Sequence, residues 1–151
     1  MPMPSTHRYL LVDGHSVIFS WPELRALHQR DRSRARLQLQ KQLQALHDTT
    51  SWGITLVYDG TIGTQPERGP KDMVVLYSQA HQTADSIIER LVGQVENRAQ
   101  ITVVTADEAE KRTVEAMGAL TASPEWLSSE LNTQQFEWQK TIRNIGKREQ
   151  W

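Results

Sequence analysis

Three apolar, β-prone runs in this chain are each followed closely by an aspartate: Tyr9–Val12 by Asp13, Gly53–Tyr58 by Asp59, and Ile101–Thr105 by Asp107. A fourth, Asp85, opens a helical segment that follows another apolar run, Asp72–Tyr77, and Glu89 stands four residues on, on the same helix face. Any one of these aspartates is explained as a helix cap or turn former. Four at equivalent positions are harder to explain that way, because clustered carboxylates repel one another unless a cation compensates. Oxygen donors without Cys or His point to a hard ion, Mg²⁺ or Mn²⁺. Such an ion lowers the pKa of a bound water and steadies in-line displacement at a phosphodiester.

The elements that would position these acids are legible from periodicity. Asp13-Gly14 reads as a sharp turn after the first strand, with a short apolar stretch Val17–Ser20 beyond it. Trp21-Pro22-Glu23-Leu24 starts a short helix running to about Leu27. A longer helix is predicted from Asp31, its cap, to His47, burying Ala35, Leu39, Leu43 and Leu46. Its first turns carry Arg30, Arg32, Arg34 and Arg36, either a solvated face or a phosphate-contacting patch. The segment Thr61–Lys71 has almost nothing to bury and reads as a mobile surface loop presenting Arg68 and Lys71.

Thr83 caps the next helix, whose stripe is Ile87, Ile88, Leu91, Val92 and Val95. A helix over Glu108–Met117 stops at Gly118, and Ala119–Ala122 is a short strand. Ser123-Pro124 opens a final helix with a buried stripe of Leu127, Leu131, Trp138, Ile142 and Ile145, and a basic end of Lys140, Arg143, Lys147 and Arg148. Strands alternating with helices predict an α/β fold with a mostly parallel sheet of four to five strands, covered on both faces. In such a sheet all four aspartates lie on the carboxyl edge, where ligands bind.

Bulk properties bound the alternatives. With 151 residues, 38% apolar and 23% charged, this is one globular domain; a net charge of −1 argues against a generally basic nucleic-acid binder. The absence of cysteine removes disulfides, thiol catalysis and cysteine-ligated zinc, and suits the cytoplasm. No signal peptide or membrane-spanning run is visible, so no membrane partner is expected. Tyr58-Asp59-Gly60-Thr61 is reminiscent of a haloacid-dehalogenase motif, but the nucleophile's position holds Val57. A dinucleotide-binding glycine pattern and a nucleophile elbow are both missing. His7, His15, His28, His47 and His81 have no metal-binding spacing, and Trp52, Trp126 and Trp138 read as packing residues.

Taken in order, Leu10-Leu11-Val12-Asp13-Gly14-His15-Ser16, Trp21-Pro22-Glu23-Leu24, Val57-Tyr58-Asp59, Thr83-Ala84-Asp85 with Glu89, and Thr105-Ala106-Asp107 resemble the YacP-like branch of the NYN nucleases, relatives of the PIN and FLAP-type nucleases. The resemblance spans about Tyr9 to Leu131. It implies a PIN-like fold and metal-dependent endoribonuclease activity, with Asp13, Asp59, Asp85 and Asp107 as catalytic and metal-holding acids and Mg²⁺ or Mn²⁺ as cofactor. It also implies single-stranded mRNA as substrate and the ribosome as partner. Ser16, Arg32, Arg36, Arg68 and Lys71 are the candidate RNA contacts. The corresponding division is a disordered segment 1–7, the domain 8–146 and a basic tail 147–151. One departure stands out: the family's Asp-Gly-Tyr-Asn is here Asp13-Gly14-His15-Ser16. The rival expectation is therefore a catalytically weak or inactive RNA- or ribosome-binding module on the same fold.

Overall fold

Along the first strand, β1 (Tyr9–Asp13), Leu10 and Val12 join one apolar cluster and Leu11 another, as a two-residue period requires. The same alternation runs through β2 (Gly53–Tyr58), where Ile54, Leu56 and Tyr58 face one way and Val57 the other. Two layers of helix therefore sandwich the sheet. On one face lie α1 (Gly14–Ser20), α2 (Pro22–Arg30), α3 (Arg32–Thr49) and α6 (Pro124–Arg148), contributing Val17, Ile18, Leu24, Leu39, Leu43, Leu46, Leu127 and Leu131. On the other lie α4 (Ala84–Gly93) and α5 (Glu108–Ala116), with Ile87, Ile88, Val92 and Val114. The computed structural model describes residues 8–60, 67–68, 73–79 and 82–148.

The remaining strands are β3 (Glu67–Arg68), β4 (Met73–Tyr77), β5 (Ile101–Val104) and β6 (Leu120–Ala122), and the six-stranded sheet has the order β3-β4-β2-β1-β5-β6. Every pairing is parallel except that of β3, which runs antiparallel along the β4 edge. The chain builds outward from β1 through β2 to β4, then crosses by α4 to β5 on the opposite side of β1. β1 is thus the switch point of the topology, and in open α/β sheets the crevice for a ligand opens beside such a strand at its carboxyl end.

Local capping behaves as the sequence predicts. The Asp31 side chain accepts from Arg34 N–H, Thr83 accepts from Ser86 N–H in a reciprocal capping box, and Ser123 Oγ accepts from Trp126 N–H. Gly118, at φ 105°, ends the turn after α5.

Three expectations are corrected. No turn follows Asp13; the chain passes from β1 straight into α1. Gly14 has no positive φ, the only such glycine among the described residues being Gly118. A Cβ on Gly14 would instead run into the Tyr58 ring, so glycine is required here for close approach. Part of the expected loop, Glu67–Arg68, pairs with β4 because that edge offers unsatisfied backbone groups. The stripe of the last helix ends early: Leu127 and Leu131 are buried, but Ile142 and Ile145 are each 50% exposed. A helix of 25 residues spans about 38 Å. Strands of at most six residues span roughly 20 Å, so the far half of α6 outruns the core. The Trp138 side chain and residues 1–7 and 149–151 lie outside the described residues.

Candidate active site

Asp13, the last residue of β1, is buried at 7% exposure, and two hydroxyls converge on its Oδ2. Ser16 Oγ donates from the first turn of α1 at 2.7 Å, and Thr105 Oγ1 donates from just beyond β5 at 3.1 Å. Thr105 Oγ1 in turn accepts from Asp107 N–H at 3.1 Å. A buried carboxylate held by charge-assisted hydrogen bonds keeps one orientation. The partners arise from topology: β5 lies beside β1 in parallel register, so the residue after its end arrives level with Asp13.

On the other flank, Asp59 follows β2. Its Oδ1 accepts from Ala84 N–H at 2.8 Å, the first free amide of α4, and Ser78 Oγ lies 3.5 Å away. The helix end favours the negative charge. Asp59 N–H donates to His15 Nδ1 at 3.4 Å, which fixes that nitrogen as the acceptor; its 3.7 Å approach to Asp59 Oδ2 is therefore not a hydrogen bond. Asp107 caps α5, its Oδ1 accepting from Ala109 and Glu110 N–H. The bland role for that residue is real, and the residue still faces the cleft.

Asp13, Asp59, Asp85 and Asp107 line one open cleft with His15, Ser16 and Phe19. Its electrostatics show how tightly the acids are gathered. Burial and then the negative fields of Asp13, Asp107, Asp59 and Glu89 raise the Asp85 carboxyl from 3.8 to about 6. Oxygen donors of this kind suit a hard cation, whose charge would relieve that repulsion. Among the described residues no three acidic or imidazole groups are already disposed to hold one ion between them. An ion that keeps several waters, as Mg²⁺ does, fits such a set through one or two carboxylates at a time.

Two participants were not singled out from sequence. Thr105 is fully buried; the sequence offers it only as the first residue of Thr105-Ala106-Asp107, with no role of its own. Glu110 is 3% exposed; burial, the charge of Asp85 and a hydrogen bond with Glu89 raise its carboxyl from 4.5 to about 8, and its Oε1 has no partner among the described residues. Asp107-x-x-Glu110 is a capping-box spacing, in which the glutamate would reach back to the cap N–H. Thr105 already occupies that N–H, and Glu110 turns inward.

The candidate RNA contacts separate. Ser16 is committed to Asp13. Arg32 is exposed; Arg36 is half-buried with its guanidinium 5.9 Å from the Tyr77 ring centre. Both surround His28, which burial and then Arg32, His15 and Arg36 hold below its ordinary pKa. Arg68 is placed by its backbone alone in β3, and Lys71 lies outside the described residues. Trp52 and Trp126 stack on each other beneath Arg8, packed against the core.

Comparison with known proteins agrees with this architecture. The profile of the YacP-like NYN domain matches residues 10–151. The chain is 30% identical over 139 residues to the uncharacterized protein YacP of Bacillus subtilis (strain 168), covering 90% of this chain and 82% of that one. The crystal structure of Rae1 (YacP) from Bacillus subtilis superposes with a TM-score of 0.78 at 29% identity, over 93% of this chain and 82% of the other. A tryptophan-to-leucine variant of the same protein gives 0.80 at 26% identity, over 95% and 86%.

Proposed function

Because this chain belongs to the YacP-like NYN domain family, a branch of the NYN nucleases, we propose that it is a metal-dependent endoribonuclease acting on single-stranded RNA. One observation carries the reading: beside the switch point of the sheet, Asp13 at the end of β1, Asp59 just after β2, Asp85 in the first turn of α4 and Asp107 capping α5 line one open cleft. An uncompensated cluster of this kind costs stability, and a pure binding module gains nothing by directing it at a polyanion.

In this reading Asp13, Asp59, Asp85 and Asp107 hold Mg²⁺ or Mn²⁺, directly or through water. When bound, such an ion would supply a water of lowered pKa and neutralise charge at the phosphodiester. The chain's own residues do the positioning. Ser16 and Thr105 fix the Asp13 carboxylate, and the α4 amide fixes Asp59. Burial and the neighbouring acids Asp85 and Glu89 favour the neutral form of Glu110, which keeps a further negative charge out of the cluster. Arg32 and Arg36 serve the RNA phosphates, with Arg68 and Lys71 assigned the same role from the sequence. The family resemblance extends the proposal to mRNA, to the ribosome as partner and to the cytoplasm. No helix among the described residues is long and apolar enough to cross a membrane.

The test is cleavage of single-stranded RNA, with and without ribosomes, in Mn²⁺, Mg²⁺ and EDTA. The expected result is metal-dependent cutting lost on Asp13→Asn. Cutting indifferent to both would overturn the proposal, and binding without cutting would establish the module reading.

A further inference from the structure

We propose that the exposed ring of Phe19, backed by His15 and His28, is a stacking platform for an unpaired nucleobase of the RNA bound at the acidic cleft. This rests on the nuclease reading above and deepens it by assigning the cleft's base-contacting wall.

Phe19 is 50% exposed. Several other large apolar residues of the described chain are comparably exposed, namely Tyr9, Leu37, Leu120, Ile142 and Ile145. None of those lines the cleft that holds the four aspartates; Phe19 does. A single exposed apolar side chain is ordinary on a surface; what sets Phe19 apart is that its exposed ring stands in the cleft wall beside Ser16, Ser20 and the four aspartates. A nucleobase presents a flat face that would cover that ring, and it is joined through its ribose to the phosphate that the acids and their ion would engage.

The ring is also held ready. His15 lies nearly parallel to it, at 6.1 Å between centres and 21° between planes, while His28 meets it edge-on at 5.0 Å and 68°. His15 is itself pinned by the Asp59 amide and by the edge of Tyr58 at 5.8 Å. A pre-positioned ring loses little freedom when a base lands on it. The flanking charge is complementary to the rest of the nucleotide: Arg32 and Arg36 are near enough to His28 to disfavour its protonation. The strand would thus find a flat apolar surface for a base with cations beyond it for phosphates, the combination by which proteins hold single strands. A base inside a duplex has both faces covered by its neighbours, so the same ring selects for unpaired RNA.

The test measures binding in Mg²⁺ with cleavage switched off by Asp13→Asn in every protein compared, using a fluorescently labelled single-stranded octanucleotide RNA and the full-length protein. Phe19→Ala is expected to raise Kd on the order of tenfold, the loss of one stacked base. Phe19→Trp should bind as well as wild type, and Phe19→Leu, which keeps apolar area without a π face, should bind as weakly as the alanine variant. An abasic residue scanned through the RNA should weaken wild type at one position and leave Phe19→Ala unaffected there. Thermal unfolding of each variant separates binding loss from misfolding. Equal binding by Phe19→Ala and wild type, a Leu variant as good as Phe, no position-specific abasic effect, or no RNA binding by wild type would each overturn the platform. A wild type that binds in this manner but never cuts RNA would sink the nuclease reading and leave the platform standing.

Discussion

Ser16 donates a 2.7 Å hydrogen bond to Asp13. Thr105, 92 positions beyond Asp13, supplies a second to the same oxygen. On the proposed nuclease reading, Ser16→Ala and Thr105→Val should each slow RNA cleavage about tenfold, the usual cost of loosening a residue that would hold the metal. Their stabilities should differ. Thr105→Val also strips the acceptor from the Asp107 N–H and should cost roughly 1–2 kcal/mol, against less than about 1 for half-exposed Ser16. Urea denaturation reads the difference; equal losses would contradict the network.

Gly14→Ala distinguishes close approach from turn formation. If Gly14 only relieved backbone strain at a helix start with ordinary φ, alanine would stabilise by roughly 0.4–1 kcal/mol. Because the added methyl meets Tyr58, a loss of about 1–3 kcal/mol is expected instead. Tyr58→Leu in the Gly14→Ala background should recover part of it, giving a coupling energy measurable by denaturation. Additive losses would refute the contact.

Glu110 predicts a pH signature in metal-free protein. Its carboxyl titrates near 8 when folded and near 4.5 when unfolded. Between those values the unfolded chain binds fewer protons, so this group's share of stability is intact below about 4.5 and is lost as the pH rises to about 8. Glu110→Gln, which cannot ionise, should match wild type near pH 4.5 and exceed it at pH 9 by on the order of 1–3 kcal/mol. Denaturation in EDTA at the two pH values is the measurement. A difference that does not grow with pH would place the charge elsewhere.

Arg32→Ala and Arg36→Ala test the phosphate-contact assignment. Each lost contact should flatten the plot of log Kd against log salt by about 0.7 for a single strand, without changing sequence preference. An unaltered slope would remove these arginines from the RNA surface.

Much of this architecture was readable in the chain because it depends on neighbours. Continuous apolar, β-prone runs marked β1, β2, β4 and β5, and Asp31, Thr83, Ser123 and Gly118 marked helix ends through bonds spanning a few residues. Strands alternating with helices imply a parallel sheet, and that alone places Asp13, Asp59, Asp85 and Asp107 on one edge. Tertiary packing decided the rest. That Thr105 grips Asp13, that Gly14 gives way to Tyr58, and that Glu110 turns inward all follow from strands and helices distant in sequence brought into contact. Ile142 and Ile145 keep the helical period of a buried stripe yet are exposed, because periodicity records which way a residue points along its own helix and not whether anything lies opposite. The sequence alone determined the identities and chain positions of the acids. Which hydroxyl, ring or amide stands against each of them depended on the packing of the whole domain.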